Sequence, residues 1–177
     1  PEMGPAAVPA VLERLNQDPP WYYMRNLVRI LGRIGSDEHV KIIAPHLLHS
    51  DHRVQKEAVK SISQIGGSSK AEIILNALPQ CDDRIKAGVV TVLGSLKYRN
   101  AVKPLIELFK SKLTLPEEMK VDLQEKICLA LGNIGDKEAL PFLKGVRKHI
   151  SFLSMKSYHP TVRAAAAKAL GRIMSKS

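Results

Sequence analysis

The sequence predicts an all-α protein, a right-handed α-α solenoid (superhelix) of helical hairpins with about ten helices. A recurring phrase is the first reason. Leu31-Gly32-Arg33-Ile34-Gly35, inside the stretch Met24 to Asp37, returns as Ile62-Ser63-Gln64-Ile65-Gly66 and then as Leu93-Gly94-Ser95-Leu96. It returns again as Leu131-Gly132-Asn133-Ile134-Gly135 and as Leu170-Gly171-Arg172-Ile173, at steps of 31, 31, 38 and 39 residues. Repetition on this scale marks stacked supersecondary units. The second reason is that apolar residues around each phrase fall at helical steps of three or four. The third is composition: 45% hydrophobic but only 5% aromatic, which suits helix-on-helix packing better than a sheet.

Residues 5–16 place Val8, Val11, Leu12 and Leu15 on one helical stripe, the second helix of a hairpin whose first helix is missing. Asp18 and the two prolines after it stop that helix and open the next, since proline is tolerated in a first turn. Tyr23, Leu27, Ile30, Leu31 and Ile34 form the next stripe. Gly35 is expected as a left-handed C-cap and Ser36 as the following N-cap. A second helix over about 37–48 offers Val40, Ile43, Ala44, Leu47 and Leu48. The same offsets recur. First-helix columns are Tyr23, Val54, Ile85, Leu123, Val162 and Leu27, Ala58, Val89, Ile127, Ala166; second-helix columns are Val40, Ala71, Val102, Leu140 and Leu47, Leu78, Phe109.

Each phrase has a small residue after its leading aliphatic: Gly32, Ser63, Gly94, Gly132, Gly171. Glycine inside a helix costs about 1 kcal/mol relative to alanine, so recurrence at one phase predicts close backbone approach of the next helix. The units run about 5–17 (half), 18–49, 50–80, 81–113, 114–158 and 159–177 (half), in a single array over 1–177. Two are longer by seven and eight residues, through segments near 111–118 and 149–160. The first ends in a helix start at Pro116-Glu117-Glu118; in the second, the helix begun at Asp136 runs on toward Pro160. Both fall between units, on one rim, where binding loops and neutral length variation are equally at home. Half-units at both ends predict a piece of a longer array, or one with unusual caps. The missing initiator Met fits a processed form or an excised fragment.

No run of about 18 apolar residues predicts a membrane span, and the start does not read as a signal peptide. Cys81 and Cys128, without a CxxC pair, fit free thiols in a reducing compartment, hence a cytoplasmic protein. The net charge of +10 is uneven. Residues 1–140 hold 19 Lys and Arg against 17 Asp and Glu, whereas 141–177 hold eight cations and no acid.

These columns resemble HEAT repeats of the short bacterial kind, the PBS-lyase HEAT-like type. The resemblance is carried by Val162-Arg163 through Ala169-Leu170-Gly171-Arg172-Ile173 and by Ala130-Leu131-Gly132-Asn133-Ile134-Gly135-Asp136. First-helix entries such as Asp51-His52-Arg53-Val54 and Asp82-Asp83-Arg84-Ile85 match too, as do Ala101-Val102-Lys103-Pro104-Leu105 and Ala139-Leu140-Pro141-Phe142-Leu143. It covers nearly the whole chain and implies a fold more than a function. The family's Arg after Val occurs only as Arg163, which argues against a repeated Arg–Asp ladder. Members include bilin lyase subunits, but no residue here singles out a tetrapyrrole pocket. Deoxyhypusine hydroxylase, of the same fold, binds iron through His-Glu pairs, and no His-Glu dipeptide occurs in this chain.

His46, His49 and His52, with Asp51, have a spacing that could gather imidazoles on a metal, but ordinary surface histidines at a helix end explain the same residues and are the favoured reading. No metal and no cofactor is expected. Nucleophile motifs are lacking, Cys128 reads as a buried small hydrophobe, and the carboxylates read as solvated helix faces. Trp21 and Tyr22 fall on a rim, as interface anchors or as cover for the preceding helix end.

The expected function is therefore non-catalytic: a protein-protein interaction scaffold or adaptor holding a protein or peptide on its concave face or inter-repeat rim. Second helices would line that face with Lys41, Glu72, Lys103 and Pro141, then Asn76 and Glu107. Their mixed charge favours a protein partner over a polyanion. The runner-up is nucleic-acid (DNA) binding through the basic end, Lys144, Arg147, Lys148, Arg163 and Arg172, with no aromatic interleaving for single strands beyond Phe152 and Tyr158. A regulatory or lyase-type subunit is third.

Overall fold

The computed structural model describes residues 4–67, 69–148 and 157–175. Ten α-helices occur among them and no strand. They are α1 (Val8–Leu15), α2 (Trp21–Ile34), α3 (Val40–Ile43), α4 (His52–Gln64), α5 (Lys70–Ala77) and α6 (Asp83–Ser95). After these come α7 (Val102–Lys110), α8 (Glu117–Ile134), α9 (Leu140–Lys148) and α10 (Pro160–Met174). The all-α solenoid class expected from the repeat is the class observed. The chain divides after Gly88, inside α6, into two compact units.

In the first unit α2 and α4 are the paired first helices. Met24, Leu27, Val28 and Leu31 of α2 and Val54, Ala58 and Ile62 of α4 are buried. A β-carbon on Gly32 would stand 2.7 Å from the Cα of Ser61, so the two backbones touch where glycine leaves room. The second helices differ in detail from the expected 37–48 helix. A 3-10 turn at Asp37–His39 leads into α3, and a second 3-10 segment, Ala44–Leu48, follows. Pro45 is the cause, because it lacks the N–H that an α-helix would pair with the carbonyl four residues back. Leu48 consequently points outward at 44% exposure while Val40, Ile43, Ala44 and Leu47 stay inside.

Two local expectations are corrected here. Tyr23 is 36% exposed, and Met24 takes the core place assigned to it. The Tyr23 hydroxyl instead accepts a hydrogen bond from Arg14 in the last turn of α1, at 3.1 Å. Gly35 is not left-handed: its φ of −79° and ψ of 168° are extended, and its N–H bonds the Leu31 carbonyl. Ser36 does precede the next helical turn, where its N–H donates to His39 Nδ1 at 2.9 Å.

The second unit stacks α8 and α10 as first helices, with α7 and α9 as second helices. Leu93, Ile127, Leu131, Ala166 and Leu170 are buried on one side, and Val102, Leu105, Phe109, Leu143 and Val146 on the other. Gly94 and Gly132 repeat the close approach: their β-carbons would stand 2.7 Å from the Cα of Ala130 and of Ala169. Ser63 and Gly171, the other two small residues of the column, are exposed, and Gly171 has no neighbour within 4 Å of a β-carbon. Pro116 does open α8, and Gly135 closes it as a left-handed cap with φ 79°. Phe109 packs edge-on against Phe142 at 5.0 Å and Tyr158 at 5.2 Å. The predicted run of the second helix beyond Lys148, together with Phe152, Lys156 and Lys176, lies outside the described residues.

Candidate interaction surfaces

Second-helix positions sort cleanly by phase. Val40, Ala71 and Val102 are buried and Leu140 is half-buried, whereas the next residue in each case, Lys41, Glu72, Lys103 and Pro141, is exposed. Asn76 and Glu107 are exposed as well. Lys103 has company: its Nζ lies 3.4 Å from Glu138 Oε1, an exposed pair of the kind that adds little to stability.

The basic end is less uniform than the sequence implied. Lys144, Arg147 and Lys148 are exposed on α9. Arg163 and Arg172 are half-buried on α10, and the Arg163 Nε is enclosed without a hydrogen-bond partner. Arg172 Nη1 donates to Asn133 Oδ1 on α8.

The histidines have other employment. His49 Nδ1 accepts from the Asp51 N–H at 2.9 Å, His52 is exposed, and the pKa of His46 is lowered by burial and by neighbouring His49. Among the described residues no three potential ligands are gathered as a metal would require.

Two arrangements were not anticipated from the sequence. Asp51 and Asp82 each cap a first helix and also hold the arginine two places on, Arg53 at 2.6 Å and Arg84 at 2.5 Å. Those guanidiniums, through side-chain hydrogen bonds, hold both carboxyls well below the usual range, Asp82 at about 2. Arg53 also lies over the Trp21 ring at 3.3 Å, so Trp21 leans on α4. The Asp-x-Arg spacing was the available signal.

The other arrangement is a groove of about 470 Å³ in the second unit, at the C-terminal ends of α6, α8 and α10. Gly94, Ser95 and Lys97 line one side, Gly132 and Asn133 the middle, Arg172 and Ser175 the other side. Lys97 follows α6 with φ 53°, a left-handed conformation unusual for any residue but glycine. Its N–H bonds the Gly94 carbonyl and the Tyr98 N–H reaches back to Leu93, the bonding of a Schellman close.

Residues 8–85, running from α1 into the first turn of α6, match the family model of HEAT repeats. These residues are HEAT repeats. No curated protein matches the chain. HEAT repeats commonly act as protein-interaction scaffolds, and the family is generally non-enzymatic. The two thiols suit packing: Cys81 and Cys128 are buried, and burial pushes their pKa values up to about 11 and about 12. No helix among the described residues is long and apolar enough to cross a membrane.

Proposed function

We propose that this protein is a non-catalytic, cytoplasmic scaffold or adaptor, acting as one array over residues 1–177 and binding a protein or peptide through its second helices. One observation carries the reading. At a fixed phase of each second helix a packed position is followed by an exposed one, and the exposed side chain changes from repeat to repeat: Lys41, Glu72, Lys103, Pro141. Within each unit, successive repeats that display a different side chain at this phase suit a protein or peptide partner.

The nucleic-acid reading loses ground on geometry. Two of its five cations, Arg163 and Arg172, are half-buried, so the fully exposed ones reduce to Lys144, Arg147 and Lys148 on a single helix. A lyase-type subunit gains no specific observation.

The test compares immobilised wild type with a variant reversed at four positions, Lys41→Glu, Glu72→Lys, Lys103→Glu and Glu107→Lys. Wild type should retain a defined protein that the variant loses, with unchanged circular dichroism and Tm. Identical retention by both removes the second-helix face. In parallel, duplex DNA should bind weakly at about physiological salt; tight binding that falls steeply with salt would favour the basic end.

A further inference from the structure

The groove at the ends of α6, α8 and α10 is where the chemistry of a partner can be read. Its side chains are Ser95, Lys97, Asn133, Arg172 and Ser175, with bare glycine between them. Among the described residues the lining includes two cations, no carboxylate and no aliphatic side chain. Helix C-termini ordinarily repel an anion, but here several terminal carbonyls are already engaged. Gly94 O accepts from the Lys97 N–H at 3.2 Å, Leu131 O from Gly135 at 3.0 Å and Gly171 O from Ser175 at 3.0 Å.

We propose that this groove binds an acidic segment of a protein partner, an extended chain whose carboxylates meet Arg172 and Lys97. The proposal rests on the scaffold reading and adds to the second-helix face a separate contact, at the ends of three first helices, together with the charge of the segment that meets it. Arg172 is suited to the role because Asn133 Oδ1 holds one Nη while the guanidinium has further N–H donors for a carboxylate. A fork fixed in advance loses less freedom on binding. The serine hydroxyls donate inward, Ser95 to the Thr91 carbonyl at 3.0 Å and Ser175 to the Arg172 carbonyl at 3.2 Å. They therefore face a ligand as acceptors, which suits the N–H groups of a peptide backbone.

Lys97 is the independent pointer. The corresponding place after α8 is Gly135, which takes the left-handed conformation without a steric penalty, yet α6 is followed by a lysine held in that same conformation. Strain kept at the rim of a charged groove is what a ligand contact would explain. The groove's volume lies in the lower half of the range for ligand sites, about 300–1,000 Å³, so a few residues of extended chain fit and a helix does not. Two cations and no stacking aromatic in the lining make a poor track for nucleic acid, which draws affinity from many phosphates or from base stacking.

The experiment titrates the full chain into a fluorescein-labelled peptide of alternating Asp and Glu, with the Asn/Gln peptide as control. Saturable anisotropy with the acidic peptide only is expected. The double substitution Lys97→Asn with Arg172→Gln should weaken it about tenfold or more, Asn being chosen because it tolerates the left-handed conformation. Ser175→Trp, which fills the groove without altering charge, should weaken it too. Equal affinity in all three proteins, with Tm values within a degree or so of each other, overturns the proposal. So does duplex DNA displacing the peptide at lower concentration than unlabelled peptide does. Should the four-position second-helix variant lose a protein partner while wild type ignores the acidic peptide, the groove proposal fails and the scaffold reading stands. Conversely, if wild type retains no protein, the scaffold reading itself fails, whatever the peptide does.

Discussion

Gly132 of α8 and Ala169 of α10 meet so closely that a β-carbon on Gly132 would stand 2.7 Å from the Ala169 Cα. Backbone cannot turn aside as a flexible side chain can. Gly132→Ala should therefore destabilise the protein by about 1–3 kcal/mol, even though alanine is the better helix former. Gly171 occupies the same phase of the repeat with open space around it. Gly171→Ala should stabilise by about 0.5–1 kcal/mol. Denaturant unfolding of the pair decides it: matching signs would mean that the glycine column is not a packing seam.

Lys97 and Gly135 make a second matched pair, with φ values of 53° and 79°. A left-handed non-glycine residue costs about 1–2 kcal/mol, part of which a glycine gives back through its freer unfolded chain. Lys97→Gly should raise stability by up to about 1 kcal/mol, and Gly135→Ala should lower it by about as much. Thermal melts of the two variants check both signs.

Acid sensitivity should trace in part to the helix-capping aspartates. The Arg84 side chain, then its backbone N–H, lowers the Asp82 pKa to about 2, below an unfolded value of about 3.9. Because the folded pKa is the lower one, this contribution is complete above about pH 4 and is lost as pH falls toward 2. Asp82→Asn should flatten the fall in Tm over that window. An unaltered slope would show that the cap contributes nothing to acid stability.

Cys81 and Cys128 should resist alkylation. With pKa values of about 11 and about 12, little thiolate exists at pH 8, and burial blocks access. Iodoacetamide should modify both only after denaturant is added; rapid labelling of the native protein would contradict their placement.

Much of this was legible beforehand, and the residues say why. Leu31, Ile62, Leu93, Leu131 and Leu170 are all buried, because helical periodicity is a property of the chain itself. The glycine seam was legible since glycine inside a helix is costly unless something offsets it. Tyr23 was misplaced by one residue: near a helix start, periodicity alone does not separate it from Met24, and the Arg14 hydroxyl contact that settles the matter comes from another helix. Gly35 and Lys97 were beyond reach for a similar reason, as a helix exit is shaped by where the following segment must go.

Sequence by itself determined the class, the period and most of the buried columns, since each depends on local spacing, and three of the five small-residue positions it singled out, Gly32, Gly94 and Gly132, are where backbones touch. Tertiary structure alone decided which charges are free. Arg172 and Asn133 lie 39 residues apart and share a hydrogen bond, and the groove around them draws on three helix ends. No local pattern encodes such a meeting, because it exists only once separate repeats have packed side by side.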